Sequence, residues 1–241
     1  MVLLNAFPVD RSQWEGLIAQ LADVATGDII AFDVPGIGEM PMTHEKPSLE
    51  LIADAAVIAM REATGHEAAI WIGCSMGGYI AMAVAEREPT AVAGMGLIGT
   101  RSTADDAAAA ARRLDLAAAV QDAPSHPNPT EAAEGLVGTQ GPRREELVKA
   151  VADNIARHSG AGIAWGQRAM AARPDRTEVL RTIDAPAVVI HGENDALASL
   201  ADSELMAAAL GVDVIVLPGI GHLAAFEAPR EVASALAPLF P

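Results

Sequence analysis

A serine surrounded by glycines is the strongest candidate for chemistry in this sequence. Gly73-Cys74-Ser75-Met76-Gly77 matches the pattern G-x-S-x-G, and Gly78 follows it directly. An aliphatic run precedes the pattern and a segment with helical apolar spacing follows it, which predicts a strand, a tight turn and a helix. Small residues let the strand and the helix pack closely around such a turn, so that the serine hydroxyl is exposed. The pattern therefore predicts that Ser75 is a nucleophile.

Cys74 is the rival nucleophile because it neighbours Ser75 in the same turn. Its side chain points the other way on a strand-to-turn backbone, and a lone cysteine there is more typical of a small buried residue. We therefore expect Ser75, and not Cys74, to react.

A serine nucleophile needs a general base and a carboxylate that orients the base. His191-Gly192-Glu193-Asn194-Asp195 follows one predicted strand, and Pro218-Gly219-Ile220-Gly221-His222 follows the next. The order serine, acid, histidine at the carboxyl ends of successive strands favours Asp195 as the acid and His222 as the base. The alternatives are His191 for the base, and Glu193, Asp105 or Asp106 for the acid. The remaining histidines are expected to face solvent: His44, His66, His126 and His158.

Short aliphatic runs alternate with segments of helical apolar spacing over most of the chain. The predicted strands are Val2–Leu4, Asp28–Phe32, Ala68–Ile72, Ala91–Ile98, Ala187–Ile190 and Val212–Leu217. The predicted helices include Trp14–Leu21, Leu49–Met60, Tyr79–Ala85, Leu200–Leu210 and Val232–Leu239. This alternation predicts an α/β fold with a mostly parallel central sheet and helices on both faces.

The alternation stops between about Arg101 and Thr182, where helical segments are separated by turns rich in proline and glycine. We therefore predict a helical cap at residues 101–182, inserted into an α/β core made of residues 1–100 and 183–241. The predicted cap helices are Ala104–Val120, Glu131–Leu136, Glu145–His158 and Ala164–Ala172.

The composition excludes several classes of partner and cofactor. The 241-residue chain carries a formal net charge of −16, which repels nucleic-acid phosphates and anionic lipid, so neither nucleic acid nor membrane is an expected partner. A single cysteine excludes an internal disulfide and a multi-thiolate zinc site, and no other spaced ligand set predicts a metal. The first residues lack the basic segment of a signal peptide. We therefore expect a cytoplasmic protein with neither metal nor cofactor.

Two further glycine patterns resemble a dinucleotide-binding motif. Gly94–Gly99 lies inside a predicted strand, and Gly219–Ala224 lies too near the carboxyl end for a βαβ unit to follow. Neither one predicts a nucleotide cofactor. The uncharged stretch Ala68–Ala85 is long enough to raise the question of a membrane span, but the glycines and serine in its middle favour a strand, a turn and a helix.

The ordered motifs together resemble the α/β-hydrolase superfamily. They are Leu3–Pro8 with Trp14, Phe32–Gly38, Gly73–Gly78, Gly192–Asp195 and Gly219–His222. The turn around Ser75 and the end of the cap, Trp165–Met170 with Arg173-Pro174-Asp175, are similar to small carboxylesterases and 3-oxoadipate enol-lactonase relatives. The resemblance implies a small ester or lactone as substrate, an acyl-enzyme, and a chain that begins at the family's third strand without its N-terminal hairpin. A homodimer is left open.

The same resemblance implies an oxyanion hole built from two backbone N–H groups. In this family one N–H belongs to the residue after the nucleophile, here Met76, and the second is expected from Phe7. The family usually has His-Gly where this chain has Asn5-Ala6. Ala6 can serve if its φ is negative, and the amide of Asn5 can hold the loop by hydrogen bonds.

Substrate contacts are expected from the cap. Trp165 and Met170 are candidates to line the acyl pocket, with packing of the cap onto the core as the alternative for both. The carboxylate of an enol-lactone would need a local cation such as Arg168 or Arg173. Two other functions stay open on the same fold: a catalytically weak ligand-binding or sensor protein, and a cofactor-free perhydrolase or haloperoxidase activity. Ser75 argues against the haloalkane dehalogenases, whose nucleophile is an aspartate.

Overall fold

A parallel six-stranded sheet forms the centre of the computed structural model, which describes residues 1–22 and 27–240. The strands are β1 (Val2–Leu4), β2 (Ile30–Phe32), β3 (Ala69–Cys74), β4 (Val92–Ile98), β5 (Ala187–Gly192) and β6 (Val214–Leu217). Their spatial order is β2-β1-β3-β4-β5-β6, and every neighbouring pair is parallel. Parallel neighbours need crossover connections, which the helices supply. The predicted α/β fold is confirmed.

The helices that cover the sheet alternate with its strands. They are α1 (Glu15–Leu21), α2 (Leu49–Thr64), α3 (Met76–Arg87), α9 (Leu200–Leu210), α10 (Ala224–Glu227) and α11 (Pro229–Leu236). Side chains of one strand alternate between two apolar clusters, because successive residues of a strand point to opposite faces. Val2 and Leu4 join the cluster that contains α2 and α3, whereas Leu3 joins the cluster that contains α1 and α11.

Five helices lie between β4 and β5 in the described chain. They are α4 (Ala107–Val120), α5 (Pro129–Leu136), α6 (Arg144–Ala156), α7 (Gly160–Ala171) and α8 (Thr177–Leu180). Leu147, Val151 and Ile155 on α6 are buried in the cluster that contains Trp14, so this helix packs onto the core. Faces of α4, α5 and α7 instead border the cavity that contains Ser75.

No helix within residues 1–22 and 27–240 has both the length and the apolar character that crossing a bilayer requires. Most of the uncharged stretch around Ser75 is divided between β3, which is buried inside the sheet, and α3, which packs on it. The break at Ser75 that separates these two elements is the turn predicted from its glycines.

Candidate active site

Ser75 occupies the turn between β3 and α3 in an unusual backbone conformation. Its φ is 53° and its ψ is −116°, and among the described residues it is the one non-glycine residue with positive φ. Such a conformation costs about 1–3 kcal/mol and persists when the surroundings fix it. The Ser75 N–H donates to the Ile98 carbonyl at 2.9 Å, and the Thr100 hydroxyl donates to the Ser75 carbonyl at 2.7 Å. The Ser75 hydroxyl bonds to no residue that the structure describes, which leaves it free for chemistry.

The glycines around Ser75 are required by close backbone approach. A Cβ added to Gly77 would lie 1.9 Å from the Leu4 carbonyl oxygen, and one added to Gly73 would lie 2.3 Å from the backbone of Gly77. A Cβ on Gly78 would meet the Thr100 side chain at 2.5 Å. The helix, β1 and β3 can therefore converge on the serine only because these positions lack side chains.

We expect Gly77→Ala to destabilise the protein although alanine is the better helix former. Intrinsic propensity favours alanine by about 1 kcal/mol, but the added methyl group meets backbone that cannot rotate away. The net loss of stability should be about 1–3 kcal/mol, measured by denaturant unfolding. Gly135→Ala on α5 is the matched control, because nothing lies within 4 Å of its added Cβ. If Gly77→Ala were as stable as this control, the close approach would not exist.

His222 and Asp195 form a hydrogen-bonded pair at the carboxyl end of the sheet. The His222 Nδ1 lies 2.9 Å from the Asp195 Oδ1 and 2.8 Å from its Oδ2. The Asp195 Oδ1 also accepts the N–H groups of Leu197 and Ala198, at 2.8 and 3.0 Å. Burial opposes ionisation of Asp195, but the bonds from His222 and from these two backbone groups outweigh it and lower the pKa of the carboxyl. Asp195 is therefore an anion at neutral pH that can hold the imidazole in one orientation.

The rival acids and bases are engaged elsewhere. Glu193 accepts the N–H of Gly219 at 2.8 Å, and Asp106 caps α4 by accepting the N–H of Ala109. His191 is buried beside the Ser203 hydroxyl, 3.2 Å from its ring. Asp105 pairs with Arg113 and Arg173. The structure thus brings Asp195, and none of these carboxylates, to His222.

Cys74 is buried behind the turn. Its side chain is fully inaccessible, and its thiol donates to the His222 carbonyl oxygen at 3.5 Å. Burial raises the pKa of the thiol far above its ordinary value, with the nearby Asp195 carboxylate adding to the effect. A thiol that stays protonated and covered is a poor nucleophile.

Both N–H groups expected for the oxyanion hole are free. Neither Phe7 N–H nor Met76 N–H donates a hydrogen bond to any group in the described ranges. Ala6 has no positive φ, so its Cβ adds no strain. The Ala6 N–H donates to Gln13 at 2.9 Å, and the Asn5 side chain donates to Asp33 at 3.0 Å. The loop is thus tied down while the Phe7 N–H stays available.

A cavity of about 670 Å³ contains both Ser75 and His222. No hydrogen bond joins the Ser75 hydroxyl to the His222 ring; catalytic hydrogen bonds are often long without substrate and tighten in the complex. Met170 lines this cavity, as the sequence predicts, but Trp165 does not. The Trp165 indole is 4% exposed and donates to the Glu45 carbonyl at 3.2 Å, so Trp165 packs α7 onto a loop of the core.

The two arginines considered for a substrate carboxylate also lie outside the cavity lining. Arg168 donates to Gln121, and Arg173 is buried between Asp105 and the ring of Tyr79, 4.1 Å from its centroid. Other arginines occupy the cavity instead: Arg101, Arg112 and Arg113.

A buried carboxylate that sequence reasoning missed supports the loop of His222. Glu227 is 1% exposed and accepts the N–H groups of Gly138, Thr139 and Gly221 at 3.0, 2.7 and 3.1 Å, and the Thr139 hydroxyl at 2.7 Å. The His222 N–H donates to the Leu136 carbonyl at 3.1 Å. Glu227 therefore fastens the loop before His222 to the segment after α5. Glu227 lies in α10, a helix of four residues, and a single glutamate in so short a segment gives no sequence signal for this role.

We expect Glu227→Gln to lower kcat by about 10–100-fold with a smaller change in KM, because a small displacement of His222 has a large effect on proton transfer. In the wild type, the two oxygens of Glu227 accept all of these N–H and O–H groups. Glutamine replaces one oxygen with an NH₂ group, which cannot accept them, so the free energy of unfolding should fall by about 1–3 kcal/mol. Kinetics should be measured below the unfolding transition of the variant. Glu231→Gln, on the exposed side of α11, is the control. Wild-type kcat in Glu227→Gln would show that this carboxylate does not position His222.

No group of three His, Cys, Asp or Glu side chains among the described residues is arranged to hold a metal ion. The first glycine pattern that resembles a dinucleotide motif lies in β4 and the loop directly after it, and the second forms the turn that carries His222. No helix follows the first pattern directly, and the second runs into α10, a helix of four residues with no strand after it to complete a βαβ unit in the described chain.

Comparison with known proteins shows the family and the fold of this chain. A family model described as alpha/beta hydrolase fold matches residues 1–229. An esterase from Thermogutta terrifontis, solved with malate bound, is 28% identical with a TM-score of 0.89, and the match covers 98% of this chain and 86% of that one. The enol-lactonase from Burkholderia xenovorans LB400 is 21% identical with a TM-score of 0.85, covering 99% and 89% of the two chains, which shows a shared fold.

A curated relative is longer than this chain. The dihydrolipoyllysine-residue acetyltransferase component of the acetoin cleaving system of Pseudomonas putida is 29% identical over 238 residues. The match covers 96% of this chain but 60% of the relative, so the chain spans well under two thirds of that protein's length. The family match over nearly the whole chain, together with the parallel sheet and the turn around Ser75, shows that this protein belongs to the α/β-hydrolase fold family.

Proposed function

We propose that this protein is a serine hydrolase that cleaves a small carboxylic ester or lactone through an acyl-enzyme. One observation carries the proposal: Ser75 lies on its strained turn in the same cavity as His222, and the Nδ1 of His222 is hydrogen-bonded to Asp195. Membership of the α/β-hydrolase fold family and similarity to an esterase support hydrolytic chemistry. A cytoplasmic location and a small-molecule substrate are part of the proposal.

In the first step the Ser75 oxygen attacks the carbonyl carbon of the ester while the His222 Nε2 accepts the hydroxyl proton. Asp195 fixes the tautomer with the proton on Nδ1 and stabilises the imidazolium that forms. The negative charge that develops on the carbonyl oxygen is stabilised by the free N–H groups of Phe7 and Met76. Expulsion of the alcohol, which takes the proton from His222, leaves the acyl group on Ser75.

Water resolves the acyl-enzyme by the reverse use of the same groups. His222 removes a proton from water, the resulting oxygen attacks the acyl carbon, and the carboxylic acid leaves as Ser75 regains its proton. A lactone follows the same path, except that its alcohol stays attached to the acyl group. No step needs a redox or group-transfer cofactor.

Hydrolysis of a series of p-nitrophenyl esters with increasing acyl length tests the proposal. We expect turnover that stops on treatment with a fluorophosphonate, and the acyl length with the highest kcat/KM measures how much of the cavity of about 670 Å³ the acyl group fills. Binding of these esters without turnover would instead favour a ligand-binding protein on the same fold.

A further inference from the structure

The cavity that contains Ser75 is positively charged although the chain carries −16 overall. Three arginines line it, Arg101, Arg112 and Arg113, against two carboxylates, Asp105 and Glu131. This surplus of arginines over carboxylates is unexpected in a protein with twice as many acidic as basic residues. A concave site with a charge opposite to that of the rest of the surface concentrates ligands of the complementary sign.

Asp105 cannot neutralise the positive charge of the cavity, because its carboxylate is already paired with two guanidinium groups. Its oxygens lie 2.6 Å from the Arg113 Nε and 2.8 Å from the Arg173 Nη2. Burial opposes ionisation of Asp105, but the hydrogen bonds from both arginines prevail and lower the pKa of the carboxyl. The cluster therefore keeps one uncompensated positive charge.

Arg101 and Arg112 have no carboxylate partner within the described residues. Arg112 is exposed on α4 and forms no ion pair there. Arg101 donates from Nη2 to the Leu197 carbonyl, while its Nε is buried without a hydrogen-bond partner. Glu131 forms no ion pair with either arginine. Burial lowers the pKa of His126, so its ring adds no charge to the cavity at neutral pH.

Two of the three arginines lie on one wall of the cavity, and Arg101 comes from the loop after β4. Ala109, Arg112, Arg113 and Leu116 recur at helical spacing on the face of α4 that borders it. The wall formed by α5 carries the carboxylate of Glu131, and its other lining residues are small or apolar: Ala132, Gly135 and Leu136. This division suits a ligand with an apolar body and a charged end.

We propose that the substrate carries a carboxylate in addition to its ester bond, and that Arg101 and Arg112 bind this carboxylate. A guanidinium can offer a carboxylate two parallel hydrogen bonds, which fixes orientation as well as charge. The inference rests on the proposed ester hydrolysis for its kinetic test. Binding in the absence of turnover tests it separately.

Matched ester pairs measure the effect of the carboxylate. Mono-p-nitrophenyl glutarate and its methyl ester differ by a charge on the acyl side, and 4-carboxyphenyl acetate and its methyl ester differ by a charge on the alcohol side. We expect kcat/KM to favour the carboxylate by about 10-fold or more in one of the pairs. The pair that shows the larger difference in kcat/KM identifies the side of the scissile bond on which the arginines bind the carboxylate.

Arg101→Gln and Arg112→Gln should each lower kcat/KM for the charged esters more than for the neutral methyl esters, and the double variant should abolish the preference for the carboxylate. Arg230→Gln is the matched control, because it removes the same charge from an exposed position outside the cavity. An equal loss for charged and neutral esters would assign these arginines a structural role and overturn the proposal.

Calorimetric binding to the Ser75→Ala variant separates this proposal from the proposed function. We expect monomethyl glutarate to bind more tightly than dimethyl glutarate, and the difference to disappear in the double arginine variant. That result would support the carboxylate site even if no ester were hydrolysed. If neutral esters were hydrolysed but neither kinetics nor binding showed a preference for the carboxylate, the proposed carboxylate site would be contradicted. The proposed hydrolase function would still hold.

Discussion

Ser75→Ala is expected to lower ester hydrolysis by about 10⁴-fold or more in a protein that remains folded. In the proposed mechanism the oxygen of this hydroxyl forms the acyl bond, so its removal takes the nucleophile away. Stability should change little because the Ser75 hydroxyl makes no structural hydrogen bond, and alanine adds no bulk at its positive φ. Kinetics with p-nitrophenyl esters and a thermal unfolding curve measure the two effects.

Cys74→Ala serves as the control for this experiment. The thiol is buried and protonated, so its removal should leave kcat within about 10-fold, with some loss of stability from the small cavity created. Turnover that survives in Ser75→Ala but disappears in Cys74→Ala would reverse the assignment of the nucleophile.

Asp195→Asn is expected to lower kcat by about 10⁴-fold with little change in fold. The Asn oxygen can keep the bonds from the Leu197 and Ala198 N–H groups, which turns the amide NH₂ toward the His222 Nδ1. The imidazole must then carry its proton on Nε2, where it cannot accept one from Ser75. Steady-state kinetics measures the loss, and circular dichroism verifies the fold.

Glu193→Gln provides the comparison for Asp195→Asn. Glu193 lies in the same loop but accepts only the Gly219 N–H, so kcat should stay within about 3-fold of the wild type. A loss below 10-fold in Asp195→Asn would mean that another carboxylate orients His222. Glu193 and Asp105 would then be the next to replace.

The sheet could be predicted from the sequence because buried parallel strands are continuous aliphatic runs bounded by turn residues. The bounds predicted for α9 from its apolar spacing are the observed ones. In the structure, Ser199 and Asp202 form a capping box at its start, and Gly211 ends it in the left-handed region. Helix α3 starts three residues earlier than predicted. The first turn of α3 contains Gly77 and Gly78, which allow close packing but add no apolar side chains to the helical pattern, so the sequence does not indicate this turn.

The positions of side chains in the helices between β4 and β5 could not be predicted in the same way. Trp165 and Met170 lie five residues apart on α7, so their side chains point about 140° apart, and the sequence does not say which face meets the cavity. The arginines that line the cavity come from α4 and from the loop after β4, which only the fold brings together.

His158 shows why polar surroundings in sequence are a weak guide to exposure. We expected it to face solvent, but it is 3% exposed, and its Nδ1 accepts the Gly38 N–H at 3.3 Å. Its Nε2 lies 3.0 Å from the Asn154 oxygen, inside a polar network that joins α6 to the loop after β1. Burial lowers the pKa of this ring. Gly38 lies 120 positions from His158 in the chain, and Asp10, which donates to Asn154, lies 144 positions from that residue, so no local pattern predicts this network.

Trapping the covalent intermediate tests the central claim most directly. The protein is mixed with a p-nitrophenyl ester of a short acid, quenched in acid during the first turnover, digested and analysed by mass spectrometry. We expect one acyl group on the peptide that contains Ser75, and none on that peptide in the Ser75→Ala variant. An acyl group on any other side chain, or full turnover with no acylated peptide at any time, would contradict the proposed mechanism.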